Sequence, residues 1–423
     1  MIHINSLLIA YLVVYLVSSA LDLIIDKLNA NHLQKCGEKV PEAFEGFIDK
    51  KELKKISQYT IDNIRFTFVN TSIGKILFLF IILSGILPWL AESLRQVNFV
   101  LAGLIFFAVP GLLLSIINLP FDYYHSFVIE ERYGFNTKTF KIWIFDLIKS
   151  LLIMAVLGTF LLSALLIMVR YAGHAWWLWA WAFFIGFQLL MTILYPLIIA
   201  PLFNKFTHLD DPDLKSKIEQ LAEKEGISVK NIYKMDASQR TRHTNAYLSG
   251  LGKAKRIVLF DSLINSHTKD EIIAILSHEI GHLKKNHIKI QLAVTSLVSL
   301  LLFYLASILL TSDIMFESFG FSVNLPYVGF FLVGILWEVI GFFLSPIGMA
   351  ISRRFEREAD LYALRVLKTA KPFTTALKKM AKENLSNLRP HPLYVSFNYS
   401  HPPLLERIEH LETSDTIQEL KSC

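Results

Sequence analysis

Charged residues are scarce in this chain, and cysteine is nearly absent. Only 18% of its 423 residues are Asp, Glu, Lys or Arg, whereas 53% are hydrophobic, and a soluble domain usually carries about a quarter charged residues. The mean hydropathy is +0.45. These values exclude an ordinary soluble enzyme and indicate an integral membrane protein.

Seven apolar stretches are long enough to cross the bilayer, which needs about 20 residues per helix. They cover residues 6–25, 73–91, 97–118, 147–169, 176–200, 288–311 and 327–351. We therefore expect transmembrane helices 1–5 in residues 1–200, with cytoplasmic loops 26–72 and 119–146, and transmembrane helices 6 and 7 in residues 288–351.

The positions of Lys and Arg predict the orientation. Residues 26–72 contain eight basic residues, whereas the connection 312–326 contains none, and basic loops face the cytoplasm. Alternation then places residues 201–287 and 352–423 on the cytoplasmic side. The two cysteines, Cys36 and Cys423, fall on that reducing side, so we expect no disulfide. Basic loops facing anionic lipid explain the net charge of +6, and no nucleic-acid partner is expected.

Residues 201–287 predict a small cytoplasmic α+β lobe. The segment "DPDLKSKIEQLAEKEG" favours a helix that ends at Gly226, and "VKNIYKMDA" and "KRIVLFDSL" favour short strands. In "NSHTKDEIIAILSHEIGHLKKNH", Thr268 and Glu271 have the spacing of a capping box, which predicts that a helix begins there. The remaining residues, 352–423, are expected to form a cytoplasmic tail.

The helix predicted after Thr268 contains the motif H-E-x-x-H. His278 and His282 lie about one turn apart on one helical face, a spacing that can hold one zinc ion, and Glu279 can reach a water beside it. Such a zinc lowers the pKa of water to about 7, and a carboxylate accepts the proton. A solvated helix with incidental histidines is the alternative.

A third metal ligand is predicted in "SRRFEREADLYALRVL", beyond the seventh apolar stretch. Glu356 and Asp360 share one helical face, whereas Glu358 points away from it. The membrane topology brings this segment to the side of the histidines, so Glu356 is predicted as the third ligand. Asp360 is predicted to orient one of the histidines. A surface helix paired with Arg353, Arg354 and Arg357 is the alternative.

Several segments of this chain, taken together, resemble the type I CAAX prenyl endoprotease family of integral-membrane zinc metalloproteases. The similar segments are "FVIEERYGFNTKT", "YPLIIAPLFNKFT", "TNAYLSG", "KRIVLFDSLI", "SHEIGHLKKNH", "SRRFEREAD" and "YSHPPLLERI". The resemblance implies zinc ligation by His278, His282 and Glu356, with Glu279 as the general base. It further implies an all-α membrane protein whose seven transmembrane helices surround a water-filled chamber, with the zinc-protease lobe on the cytoplasmic side.

The same resemblance implies roles for three further residues. His401 and Arg407 would contact the substrate or the transition state, and Asn245 would lie on the edge strand that aligns the peptide. His401 is also suited to donate to a developing oxyanion. Its alternative, from the residues alone, is a histidine held in a Pro-Pro turn.

The sequence therefore predicts a membrane zinc metalloendopeptidase with one zinc per chain, acting on C-terminal CAAX-type or other membrane-associated peptides. Its expected partners are a peptide or prenylated-peptide substrate and the lipid bilayer. The expected location is the endoplasmic reticulum membrane of a eukaryote or the inner membrane of a bacterium. A heat-shock-type quality-control metalloprotease and a seven-helix transporter with a regulatory metal are the alternatives. Glu338, in the seventh apolar stretch, is predicted to line a hydrated chamber.

Overall fold

The computed structural model describes residues 2, 4–37, 39–250 and 255–422. Within these residues, seven helices are long and apolar enough to cross a membrane. They are Ser6–Cys36, Lys50–Leu83, Phe99–Tyr133, Phe140–Tyr171, Gly173–Phe203, His287–Leu309 and Pro326–Leu367, called here the first to seventh membrane helices. Cys36 carries a free thiol. Cys423 lies outside the described residues, so the absence of a disulfide stays a prediction.

The second membrane helix differs from the apolar stretch predicted at 73–91. It begins at Lys50, where Asp49 and Glu52 form a capping box, and it ends at Leu83. A separate helix, Ile86–Ser93, follows. Gly85 separates the two helices with a φ of 80°, a conformation that glycine adopts without steric cost. The sequence segment expected as a loop, 26–72, is therefore mostly helical.

The lobe contains a four-stranded sheet with strand order β1-β2-β4-β3. Its strands are β1 Phe206–His208, β2 Val229–Met235, β3 Ala246–Ser249 and β4 Lys255–Phe260. Strands β2 and β4 are parallel, and β1 and β3 pair antiparallel with them. The two strands predicted from sequence correspond to β2 and β4, and both are confirmed.

Helices cover this sheet and continue the chain beyond the seventh membrane helix. The lobe helices are Pro212–Lys224, Asp261–Ser266 and Lys269–Lys284. The C-terminal helices are Lys371–Glu383, Pro392–Asn398 and Leu404–Ser422. The stop predicted at Gly226 is consistent with a helix that ends at Lys224, and Gly226 has a φ of 58°. A core of Ile218, Leu259, Leu276 and Tyr362 joins the lobe to the seventh membrane helix.

Both the lobe and the C-terminal segment pack against one end of the membrane bundle, called here the lobe side. Arg240 of the lobe binds both carboxylate oxygens of Asp146 in the fourth membrane helix, at 2.9 and 3.1 Å. Asn29, near the end of the first membrane helix, accepts a hydrogen bond from His391 N at 3.0 Å. The sixth helix begins at this side and the seventh ends at it, so the two halves of the predicted metal site lie together.

A cavity of about 260 Å³ lies between the membrane helices. Tyr15, Lys75, Asn118 and Glu338 are among the residues that line it. Lys75 forms an ion pair with Asp22 at 2.8 Å, which places further charge near this part of the bundle. Glu338 thus faces a cavity, as hypothesised from sequence; that water fills the cavity stays a prediction.

Candidate metal centre

The helix that carries the H-E-x-x-H motif begins as the sequence predicts. Thr268 Oγ1 accepts a hydrogen bond from Glu271 N at 3.3 Å, and Glu271 Oε2 accepts one from Thr268 N at 2.7 Å. This capping box satisfies two backbone donors that the first turn would leave unpaired. Lys379 Nζ also binds Glu271 Oε2 at 2.7 Å, so the helix start is tied to Lys371–Glu383.

One glycine allows the motif helix to approach the seventh membrane helix closely. A Cβ atom at Gly281 would lie 3.0 Å from both Cα and O of Ala359, and 3.1 Å from Cβ of Tyr362. Ordinary carbon contacts are about 3.5–4.0 Å. Gly281 lies directly before His282, and Ala359 lies between Glu356 and Asp360, so this close crossing sets the distance between the candidate ligands.

The structure brings His278, His282 and Glu356 into one cluster, with one ligand atom of each lying within 4.8 Å of the others. His278 Nε2 lies 3.1 Å from His282 Nε2 and 3.2 Å from Glu356 Oε2. His282 Nε2 lies 3.3 Å from Glu356 Oε1. These three residues come from two helices whose sequence positions are separated by two membrane crossings.

The cluster fits a divalent metal ion. Glu356 is 6% exposed, and its Oε2 atom finds no hydrogen-bond partner among the described residues. A buried carboxylate oxygen without a partner is costly unless a cation lies beside it. Two imidazole nitrogens and one carboxylate oxygen form a ligand set typical of catalytic zinc. Burial lowers the pKa of His278, but the nearby carboxylates of Asp360 and Glu356 outweigh this effect and raise the pKa to about 9. Metal binding must therefore displace a proton.

Asp360 and Arg407 lie behind His278. Asp360 Oδ1 is 2.8 Å from His278 Nδ1, which is the position expected for a carboxylate that orients a ligand. Arg407 donates to both oxygens of Asp360, from Nη2 at 2.6 Å and from Nε at 2.9 Å. Arg407 is only 8% exposed. Its geometry thus supports a role in holding Asp360, and the substrate contact expected from the resemblance stays a prediction.

Glu279 directly follows His278 in the motif helix, and His401 lies beside Glu356. Glu279 is half-buried, and this desolvation raises its pKa, which favours a carboxylate that can accept and return a proton. His401 Nε2 lies 3.3 Å from Glu356 Oε1, while 59% of its side chain is exposed. Ser400 Oγ lies 2.9 Å from His401 Nδ1. An exposed imidazole beside the cluster can reach a bound peptide.

Asn245 directly precedes β3 and is not part of that strand. Its carbonyl oxygen accepts a hydrogen bond from Phe260 N at 3.1 Å, and its side chain accepts one from Ala246 N at 2.8 Å. Strand β3 pairs with β4 on one side, and among the described residues no strand covers its other edge. This free edge can pair with an extended peptide.

Sequence reasoning missed a polar network that holds the start of this edge strand. Tyr59 donates to Glu130 Oε1 at 2.7 Å, and His243 Nε2 lies 3.3 Å from Glu130 Oε2. His243 Nδ1 lies 3.3 Å from Asn384 Oδ1, which also accepts from Thr244 N at 3.0 Å. Glu130 belongs to "FVIEERYGFNTKT", one of the segments that carry the family resemblance. Its physical role is a link between the membrane bundle and β3.

Sequence reasoning also missed His287. Its Nδ1 atom lies 3.0 Å from Nδ1 of His282, and its Nε2 atom lies 3.3 Å from Oε2 of Glu358. Helical geometry alone predicts that Glu358 points away from the metal ligands. Glu358 does point away, but it is still linked to the ligand His282 through His287. The signal available in the sequence is the spacing of five residues between His282 and His287.

Comparisons with known proteins identify the family. Residues 29–205 match the family model described as CAAX prenyl protease N-terminal, five membrane helices, and residues 208–415 match the model for peptidase family M48. The chain belongs to peptidase family M48. It is thus an integral, multi-pass membrane metalloendopeptidase, and the resemblance and the fold class predicted from its sequence are confirmed.

Relatives of this M48 enzyme match it over nearly their whole length. A protein of Arabidopsis thaliana called CAAX prenyl protease 1 homolog is 36% identical, with 89% of this chain and 91% of that protein covered. CAAX prenyl protease 1 of Saccharomyces cerevisiae is 35% identical, with 91% of each chain covered. The crystal structure of S. mikatae Ste24p matches with a TM-score of 0.88 at 31% identity, over 96% of this chain and 99% of that one. These matches favour neither of the alternatives considered from the sequence, a heat-shock-type quality-control metalloprotease and a seven-helix transporter with a regulatory metal.

Proposed function

We propose that this M48 enzyme is a zinc endopeptidase that cleaves C-terminal CAAX-type or other membrane-associated peptides. The observation that carries this proposal is the cluster of His278, His282 and Glu356 at the lobe side of the membrane bundle. The names of the relatives, which refer to CAAX prenyl proteases, support the substrate class. The capacity of M48 enzymes to bind a metal and the donor set of this cluster support zinc.

The proposed reaction is hydrolysis of an amide bond. Zinc held by His278, His282 and Glu356 would lower the pKa of a water molecule and polarise the scissile carbonyl. Glu279 accepts the proton that the water loses and later gives it to the leaving amine. His401 donates a hydrogen bond to the oxygen of the carbonyl as its negative charge develops.

The surrounding residues bind and orient the substrate and the ligands. The free edge of β3 pairs with the peptide in an extended conformation, beginning next to Asn245. Asp360 accepts the Nδ1 proton of His278, which leaves the Nε2 lone pair directed at the cluster. Arg407 holds Asp360 in this position through two hydrogen bonds.

The distribution of basic residues supports a cytoplasmic active site. Residues 26–72 contain eight Lys and Arg residues. They form the lobe-side ends of the first two membrane helices and the connection between those helices, and basic residues near the ends of membrane helices favour the cytoplasmic side. We infer the endoplasmic reticulum membrane as the location in a eukaryotic cell and the inner membrane in a bacterium.

The decisive experiment compares two peptides that differ only in a farnesyl group on the Cys of a CAAX sequence. Purified enzyme should cleave the farnesylated peptide, and a chelator should abolish cleavage until zinc is restored. Glu279→Gln should be inactive, whereas Glu219→Gln, a matched change at an exposed glutamate of the lobe, should be fully active. Cleavage of the unprenylated twin alone, or cleavage that survives both the chelator and Glu279→Gln, would refute the proposal.

A further inference from the structure

A sharp turn brings His287 against the metal cluster. The motif helix ends at Lys284, and the sixth membrane helix begins at His287. Between them Asn286 has a φ of 59°, a left-handed conformation that asparagine tolerates better than most residues. Because of this turn the ring of His287 faces back toward His282, and their Nδ1 atoms lie 3.0 Å apart.

His287 is held rigidly in this position. It is 3% exposed, and its ring stacks on Phe355 with centroids 4.3 Å apart and an interplanar angle of 11°. Its Nε2 atom lies 3.3 Å from Glu358 Oε2. Arg354 Nε binds the other oxygen of Glu358 at 3.1 Å.

Only one placement of protons satisfies all of these contacts. His282 directs Nε2 at His278 and Glu356, and a ligating nitrogen must offer its lone pair, so the proton of His282 lies on Nδ1. His287 Nδ1 then accepts that proton in a hydrogen bond. The proton of His287 lies on Nε2, where it is donated to Glu358.

We propose that His287 is a positioning residue for the metal ligand His282 and that Glu358 fixes the tautomer of His287. This proposal rests on the metal centre of the proposed function. The two histidine ligands are then held by different groups. His278 donates to the carboxylate of Asp360, which Arg407 supports, whereas His282 donates to a neutral imidazole that a more distant carboxylate orients.

The test measures zinc affinity rather than turnover. In His287→Phe, which keeps an aromatic ring against Phe355 but has no acceptor, competition with a chelator should show affinity lowered by roughly 10- to 100-fold, the usual effect of losing such a partner. His410→Phe changes an exposed histidine of the last helix and should bind zinc like the wild type. His287→Gln, whose amide oxygen can accept from His282, should lose less than His287→Phe.

A double-mutant cycle tests whether Glu358 acts on His282 only through His287. Glu358→Gln should lower zinc affinity less than His287→Phe, and the double variant should bind zinc no more weakly than His287→Phe alone, because Glu358 acts only through His287. Glu409→Gln, at an exposed position, is the matched control. Additive losses of zinc affinity in the double variant would refute the proposal that Glu358 acts through His287. Equal losses of zinc affinity in His287→Phe and His287→Gln would refute the proposal that His287 acts as a hydrogen-bond acceptor for His282.

The cobalt-substituted protein gives an independent readout. Its visible absorption spectrum should change in His287→Phe and remain unchanged in Glu409→Gln, since the orientation of a ligating imidazole alters the metal's electronic transitions. Wild-type protein that binds no zinc would refute the metal centre itself. Wild-type zinc affinity and an unchanged cobalt spectrum in His287→Phe would refute only the positioning role.

Discussion

Gly281→Ala should weaken the metal site by separating the two helices that carry its ligands. The added Cβ would lie 3.0 Å from backbone atoms of Ala359, whereas the shortest comfortable carbon contact is about 3.5 Å. The helices must therefore move apart by roughly 0.5 Å, which exceeds the tolerance of about 0.2 Å for metal–ligand distances. His278 and His282 would move away from Glu356.

The same substitution has two opposing effects on stability. Overpacking costs about 1–3 kcal/mol, while replacing glycine by alanine within a helix stabilises it by about 1 kcal/mol. We therefore expect a loss of about 0–2 kcal/mol in the free energy of unfolding, together with a clear loss of zinc affinity.

Chelator competition and thermal unfolding in detergent measure these two quantities separately. Gly348→Ala is a matched control in the seventh membrane helix, because no atom of the described residues lies within 4 Å of a Cβ at that position. Gly348→Ala should bind zinc like the wild type. A Gly281→Ala enzyme with unchanged zinc affinity and activity would refute the argument that this crossing sets the ligand spacing.

Four further variants have expected outcomes. Glu279→Gln should abolish peptide cleavage and keep zinc bound, since its carboxylate is not among the three ligands; loss of zinc measured by metal analysis would contradict its role. Glu356→Ala should lose both zinc and activity, and a full complement of tightly bound zinc in this variant would show that the third ligand is misassigned. Asp360→Asn should lower zinc affinity by about 10- to 100-fold. Burial lowers the pKa of His267, so below about pH 6.5 the unfolded chain takes up a proton that the folded chain resists, and stability falls as the pH falls. The melting temperature of His267→Gln should drop less than that of the wild type between pH 7.5 and 5.5, and equal drops would contradict this reasoning.

The parts of the site that sequence predicts are those determined by local spacing. Two histidines four residues apart must share a helical face, and the capping box at Thr268 and Glu271 locates the start of that helix without reference to the rest of the chain. Glu356 and Asp360 are also four residues apart, so they too must share a helical face. Their roles as ligand and orienting group were predicted, and the structure brings their atoms to the distances that such roles require.

The remaining parts depend on packing between distant segments. Glu358 meets His287 across 71 residues, and Arg407 meets Asp360 across 47 residues; no periodicity in the sequence encodes either distance. The break at Gly85 escapes a hydropathy window for a different reason, because the residues on both sides of it are apolar. Hydropathy measures whether a segment prefers lipid, and it does not measure the backbone dihedral angles that end a helix.

The depth of the metal centre connects the fold to the proposed substrate. The apolar stretch of the seventh membrane helix ends at residue 351, and Glu356 lies five residues further along the same helix, which corresponds to about 7.5 Å. The headgroup layer on each side of a bilayer is about 5–7 Å thick. Arg354, whose side chain is 78% exposed, lies between the two positions, as expected for a basic residue at headgroup level. We infer that the metal centre lies at the membrane surface, deep enough for a lipid-anchored peptide to reach it while its anchor stays among apolar groups, and shallow enough for water to supply the nucleophile.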